Sequence, residues 1–531
     1  MVLRFNLGIL AALTLLATGH AAHAQATPVA PVAHSVSSSA RTFTLRLPND
    51  PENLDWHRAQ TMVESYLLMN MMEGLVSFDS KLQVNPALAL SWTKSEDGRI
   101  YTFKLRPGVK WSDGVPLRAQ DFVYSWKRLL SPLTGALYSY FLFDIEGAEY
   151  YSKGKLTDFD LVGIKALNDS TLQVKLSRPV AHWISIPAFW VTFPMRQDIV
   201  EKYGNGWEKP GRIVTIGPYQ LVSQELNHKI TLRKNPNYYG QTGNVDQIDA
   251  LIIPSDAVAM KLYDEGKLDF LGDLSNDTIG KVKGRAELKS FQYLKTAYLG
   301  LSISKYPLSL SSVRRAIAMG IDKSQLAALR SGYQPATSFV PPQVLGHSDA
   351  IGPKFDPIAA RALLRGAGFD PLKPWTVDLI TQNFDKQIAL ADFIRDQLKK
   401  NLGIEAKVET LDHKDYRSRL SIGGFGLFMG SWVADYPDPD NFMSLFLSSS
   451  GNNRAQWKNQ QYEDRVLEAR NLTDSAARLR AYTETQKLLL ETDAVIVPLY
   501  YETILALVRS RVQGLEINPL NNLLLRKVTL K

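Results

Sequence analysis

The chain reads as an α/β protein of more than one domain, and three observations point there. It has 531 residues, of which 45% are apolar and 21% charged; domains of ~100–200 residues make this too long for one core. Its second half contains a strand–helix–strand unit. Its first half carries short runs in which apolar and polar residues alternate.

The unit in the second half is built from local signals. Asp356 and Pro357 start a helix as N-cap and first helical residue, and Gly366 or Gly368 ends it. Residues 376–380 (TVDLI) form a strand. Residues 386–402 form a helix with Ile388, Ala391, Ile394, Leu398 and Leu402 on one face, stopped by Gly403. Residues 405–411 return as a strand, which predicts parallel strands joined by a helix. In the first half, Tyr101, Phe103 and Leu105 alternate with polar neighbours, as do Leu172, Val174 and Leu176, and Ile230 and Leu232; such runs predict half-exposed strands. A further strand, 426–432, leads into the loop VADYPDPDNF. Open α/β sheets collect ligands at the carboxyl ends of strands, so the site is expected in that loop.

The N-terminus carries an address. Arg4 precedes an apolar run over 5–18, and Ala22-His23-Ala24 precedes Gln25. A positive start, a short apolar stretch and an A-x-A site define a secretory signal peptide at 1–24, cleaved after Ala24. About 14 apolar residues fall short of the ~20 that span a bilayer. Residues 25–41, rich in Ala, Pro and Ser, read as a flexible leader, and folded material is expected from Thr42.

Composition excludes several chemistries. The chain has no cysteine, which removes thiol nucleophiles, disulfides, thiolate metal sites and lipoprotein anchoring. The excess of Lys and Arg (61) over Asp and Glu (53) is dispersed in pairs such as Arg314-Arg315 and Lys399-Lys400, so no nucleic-acid partner is expected. There is no G-x-S-x-G elbow, P-loop or H-E-x-x-H motif. Two S-x-x-K matches, at Ser91 and Ser302, lack a companion K-T-G. The glycines at 423, 424, 426 and 430 have the wrong spacing for a nucleotide loop and read as places where the backbone is closely approached. The histidines are scattered, and neither a cofactor nor a metal is expected. Trp432 and Asp435 together suit an ammonium group, through a charge-assisted hydrogen bond and a cation–π contact. The same pair also reads as a core ring and a turn cap.

Five ordered stretches extend the reading: 98–126 (GRIYTFKLRPGVKWSDGVPLRAQDFVYSW), 210–222 (PGRIVTIGPYQLV), 232–240 (LRKNPNYYG), 313–323 (VRRAIAMGIDK) and 431–442 (SWVADYPDPDNF). Together they resemble family 5 of the extracellular solute-binding proteins, the peptide receptors of ABC importers, from about Thr42 to the C-terminus. The resemblance implies a two-lobed periplasmic-binding-protein fold of type II with an extra third domain. Lobe I would take 42–72, 198–294 and 503–531, the extra domain II 73–197, and lobe III 295–502. It implies a periplasmic, monomeric receptor, not an enzyme, that encloses short peptides between lobes and delivers them to permease subunits without itself spanning the membrane.

Residue by residue, Asp435 matches the aspartate that holds a peptide ammonium. Gln60 and Met62 on one side, and Ser431 and Val433 on the other, match main-chain partners of an extended ligand; Tyr138, Trp432 and Tyr293 match cleft aromatics. The chain departs from the pattern at Met429 and around Leu420, where relatives carry arginines that meet the peptide carboxylate. Arg419 and Lys386 are the expected substitutes, with looser demands on ligand length. Gln60 replaces a glutamate, and Val433 and Lys295 replace a cysteine pair. A same-fold receptor for another solute, such as a murein peptide, an opine-like compound or a bile-acid-like molecule, is the alternative; a secreted hydrolase is the alternative from another class.

Overall fold

The computed structural model describes residues 40–329, 331–370 and 372–531. The expected signal peptide (1–24) and most of the expected leader (25–41) lie outside the described residues. From Arg41 onward the chain forms one compact unit, built on three principal sheets. No helix among the described residues is long and apolar enough to cross a membrane.

The first strand begins at Thr42. Thr42–Leu47 lies inside a seven-stranded sheet, parallel to Gln247–Ile252 on one side and to Phe270–Leu271 on the other. Lys229–Lys234 and Tyr219–Glu225 extend one edge, and Ile504–Val508 and Leu288–Phe291 the other. The alternating runs at 100–105 and 171–175 pair with each other antiparallel in a four-stranded sheet. There Phe103, Leu172 and Val174 are fully buried while Thr102, Lys104, Gln173 and Lys175 are half-buried or exposed, as a period of two requires.

The third sheet has six strands and contains the strand–helix–strand unit. Asp356 caps its helix by accepting from the N–H groups of Ile358 and Ala359. Trp375–Gln382 and Ile404–Leu411 run parallel, joined by the helix Asp385–Leu402. Gly403 ends that helix at φ 69°, a left-handed turn that glycine adopts without a Cβ penalty. Leu390, Ala391, Ile394, Leu398 and Leu402 are buried. Ile388, expected on this face, is only half-buried; it sits in the first turn of the helix.

The chain passes between the seven- and six-stranded sheets twice, from Phe291 to Lys295 and from Glu502 to Ile504. One ion pair links the two crossings: Lys295 Nζ lies 2.6 Å from Glu502 Oε2, both side chains largely buried. Lys295 stands opposite Val433 across the sheet, and its ammonium lies 5.7 Å from the centre of the Tyr293 ring. Glu502 holds the lysine proton more tightly than solvent would, despite the burial that opposes it.

Removing one member of a buried pair strands the other charge, at a cost of about 3–5 kcal/mol. Lys295→Met is therefore expected to lower the urea midpoint sharply, whereas Lys295→Met combined with Glu502→Leu recovers most of the loss. Equal losses in the single and double variants would mean that the pair contributes through packing alone.

Candidate functional site

The site is built on the strand Leu427–Val433. On one side it pairs along its length with Lys295–Leu301. On the other it pairs with Trp375–Gln382 at Leu427 and Phe428 only, leaving 429–433 without a neighbouring strand. Hydrogen bonds just beyond each end fix which groups face that open edge. Ser302 N–H donates to Gly426 O (2.9 Å) and Ala434 N–H to Leu294 O (2.8 Å). Antiparallel pairing alternates, so even-numbered residues bond the partner strand, while Met429, Ser431 and Val433 direct their backbone outward. The Met429 carbonyl is taken by the Tyr416 hydroxyl. Gly430 admits the Tyr298 ring, which a Cβ there would approach to 2.4 Å.

Pro437 and Pro439 cannot donate to a sheet ladder, and the strand gives way to the loop 434–439. Two aspartates lie in it, Asp435 and Asp438, and a third, Asp440, opens the short helix that follows; the structure treats the three differently. Asp438 receives two hydrogen bonds from Arg478, each 2.9 Å, and its Oδ1 caps the turn by accepting from Asp440 N–H (3.0 Å). Asp440 is bonded by Arg470 and by the Tyr436 hydroxyl. Arg470 holds the Asp440 carboxyl below the usual range against the burial that pushes it up.

Asp435 has no cation within 4.0 Å among the described residues. Its carboxylate accepts from Asn441 Nδ2 (3.2 Å) and, weakly, from the Tyr140 hydroxyl (3.4 Å). Asn441 Oδ1 accepts in return from Asp435 N–H (3.1 Å) and Trp432 Nε1 (2.8 Å). One amide thus orients the anion and the ring together. Burial pushes the Asp435 carboxyl up to about 6, and the two side-chain hydrogen bonds recover only part of that. Among the described residues no backbone N–H bonds to this carboxylate, so Asp438 and not Asp435 is the turn cap.

Asp435, Trp432, Tyr140 and Asn441 line a cleft of about 590 Å³. Tyr138 stands behind Tyr140, their ring centres 6.0 Å apart, and the Asp435 charge adds to the burial that raises its phenol to about 12. Met62 and Tyr293 line a separate cavity of about 220 Å³ with Lys295, Glu502 and Lys386. Gln60 is exposed, its side chain donating to Arg58 O (3.4 Å). Asn441 and Tyr140 escape the sequence reading, although Asn441 belongs to the quoted motif and Tyr140 lies two residues from Tyr138.

A Ser–His–Asp arrangement does occur elsewhere, at Ser125, His57 and Asp55. Its chemistry runs the wrong way. Arg128 Nη1, which can only donate, lies 2.8 Å from His57 Nδ1, so Nε2 carries the proton and faces Ser125 Oγ at 3.1 Å. Ser125 Oγ in turn donates to Phe193 O (2.6 Å). Both residues are fully buried, and burial lowers the imidazole to about 3. This histidine cannot take a proton from the serine. Among the described residues no group of three or more His, Cys, Asp or Glu is gathered for a metal ion.

Comparison with known proteins places this geometry in a family. Residues 83–454 match bacterial extracellular solute-binding proteins, family 5 (middle). The chain is 31% identical over 507 residues to a probable deoxycholate-binding periplasmic protein of Escherichia coli, covering 93% of this chain and 92% of that one. It is 31% identical to the periplasmic oligopeptide-binding protein of Salmonella typhimurium, covering 90% and 91%. The solved murein tripeptide binding protein of Escherichia coli superposes with a TM-score of 0.80 at 29% identity, over 93% of this chain and 99% of that one. These neighbours share the two-lobed α/β fold of type II, and family 5 proteins are binding receptors, not enzymes. The chain belongs to the bacterial extracellular solute-binding proteins, family 5.

Proposed function

We propose that the protein is a periplasmic receptor that captures short peptides and presents them to the permease subunits of an ABC importer. The single observation that carries this reading is Asp435, the one aspartate of its loop left without a cation. A peptide α-ammonium would supply that cation inside the cleft, with the Trp432 ring beside it. The outward backbone of Ser431 and Val433 would then accept an extended ligand as an added strand, which binds without reading side chains. Gln60 and Met62 would form the facing main-chain wall, and Tyr138 and Tyr293 would line the cleft.

In this reading lobe I (42–72, 198–294, 503–531) and lobe III (295–502) close on the ligand, with domain II (73–197) packed against lobe III through Tyr140. Signal-peptide cleavage after Ala24 would release a monomer into the periplasm. A deoxycholate-like ligand fits less well, because its carboxylate would bring a second anion to Asp435 instead of a counter-ion. The hydrolase alternative finds no support in the Ser125–His57 pair.

Three outcomes are expected. Asp435→Ala should abolish binding of a short-peptide mixture followed by tryptophan fluorescence, and N-acetylation of a bound peptide should weaken it by a few kcal/mol, since a desolvated carboxylate loses its partner. Equal affinity for acetylated and free peptide would remove Asp435 from this role.

The second outcome concerns pH. The ligand ammonium remains charged below pH 7, but Asp435 takes up a proton as pH falls through about 6. Calorimetric affinity should therefore drop about tenfold per pH unit below that point.

The third concerns the ligand-free protein. A carboxyl raised from 3.8 to about 6 binds its proton more tightly when folded, so stability falls as pH rises from about 4 to about 6 and stays reduced above. Asp435→Asn should be more stable than the parent by about 3 kcal/mol at pH 7.5, with no gain below pH 4. An unchanged melting temperature at pH 7.5 would contradict the raised value.

A further inference from the structure

The helix Pro357–Gly366 packs one side into the core beside the six-stranded sheet and leaves an apolar, positively charged stripe on the other. Ala360 and Leu364 are fully buried there, among residues such as Leu299 and Leu379. Ile358, Ala362 and Arg365 follow at i, i+4 and i+7, which puts them together on the opposite face, and all three are exposed. An outward helix face is ordinarily polar, yet Ile358 is 73% exposed. The segments at both ends continue the pattern. Lys354 and Phe355 lead into the helix and are exposed; Leu372 and Lys373 follow it, and Leu372 is 89% exposed. An aromatic cluster adjoins them. The Phe369 ring centre lies 6.0 Å from that of Tyr306, which is 71% exposed, and 5.7 Å from that of the half-buried Trp375.

The charges on this face are unbalanced. Among the described residues Lys354, Arg365 and Lys373 have no carboxylate within 4.0 Å. The two acids of the same segment serve the backbone: Asp356 accepts from the N–H groups of Ile358 and Ala359, and Asp370 from Leu372 N–H (2.9 Å). Other nearby cations are already engaged. Lys305, beside Tyr306, pairs with Asp378 at 2.7 Å, and Arg361 donates to Asn401 O (2.8 Å). Exposed apolar groups set among cations mark a surface that meets something else. Here they protrude singly between the charges, a form that a fluid lipid layer accommodates without a matched counter-surface. Ile, Leu and Phe suit the acyl boundary, Tyr and Trp the headgroup level, and Lys and Arg the phosphates.

We propose that the outward face of the helix Pro357–Gly366, with Phe355 before it and Leu372 after it, rests on membrane surfaces rich in anionic phospholipid. The contact is peripheral and reversible, since three cations and a few partly inserted side chains fall far short of a spanning segment. For a receptor that serves a membrane importer, it confines the search for that importer to the membrane plane. None of these residues lines the cleft at Asp435, so the proposal stands or falls independently of the peptide reading.

Vesicle flotation of the ligand-stripped protein tests this, with phosphatidylglycerol–phosphatidylethanolamine vesicles set against phosphatidylcholine vesicles. Binding to the anionic vesicles alone is expected, fading as salt is raised. Arg365→Gln/Lys373→Gln should weaken it about tenfold, and Ile358→Ser/Leu372→Ser by about the same factor. Lys399→Gln/Lys400→Gln removes the same charge from the last turn of the helix Asp385–Leu402 and should change nothing. All the substituted side chains are exposed, and urea midpoints matching the parent's verify the fold. Because the chain has no cysteine, an environment-sensitive fluorophore on Ala362→Cys reports this face alone, and its emission should shift to the blue on anionic vesicles. No binding by the parent would overturn the proposal. So would an equal loss in Lys399→Gln/Lys400→Gln, which would reduce the effect to net charge. A loss on removing the cations with none in Ile358→Ser/Leu372→Ser, or an unshifted probe on bound protein, would overturn it too and leave the face to an acidic protein.

Discussion

Two buried arginine–aspartate pairs hold the loop on which the site depends. Arg478 grips Asp438 through both guanidinium nitrogens, and Arg470 grips Asp440. Taking such charges out of water costs several kcal/mol per ion, and good geometry does little more than offset it. What the pairs provide is position. With Asp438 and Asp440 fixed, Asn441 sits where one amide can bond Trp432 Nε1, Asp435 N–H and the Asp435 carboxylate. The four-stranded-sheet region shares in this arrangement: His182 stacks on Tyr436 at 4.7 Å, and Arg178 joins Asp144 to Asn471. The loop is therefore held both from its own neighbourhood and from the region of the four-stranded sheet, and Asp435 is presented with dipoles around it in place of a cation.

This also explains which parts could be read from the amino-acid sequence. The strand–helix–strand unit was legible because its signals are local: Asp356 caps its own helix, and Gly403 ends the next one. The loop after 426–432 was legible as a place for the same reason. The division of labour among its three aspartates was not, because Arg470 and Arg478 lie 30 and 40 residues further on, and nothing local distinguishes Asp435 from Asp438. Trp432 and Asp435 could equally have been core ring and turn cap; the cap turned out to be Asp438. The open edge was equally hidden. It exists because Trp375–Gln382 leaves its neighbour after two residues, a property of sheet twist and register. Arg419 is the arginine adjacent in sequence to the missing one, yet it turns back onto Gly424 O.

The replaced cysteine pair shows how a change of chemistry relocates a constraint. Lys295 and Val433 stand opposite each other in register, so a covalent bridge there would join two strands of one sheet, which the ladder already joins. The lysine instead reaches Glu502 at 2.6 Å. That contact links the two chain crossings between the seven- and six-stranded sheets, one at each end of the pair. A disulfide would have added little to the relation between lobes. The ion pair acts on the two segments about which any motion of one sheet relative to the other must occur, and it lies in the wall of the cavity that also holds Met62 and Tyr293. The side chains expected to form the second wall of the binding cleft are thus packed around the contact that restrains the crossings. Contacts made by a ligand on that wall would act on the same few residues that any rotation between the two sheets has to rearrange.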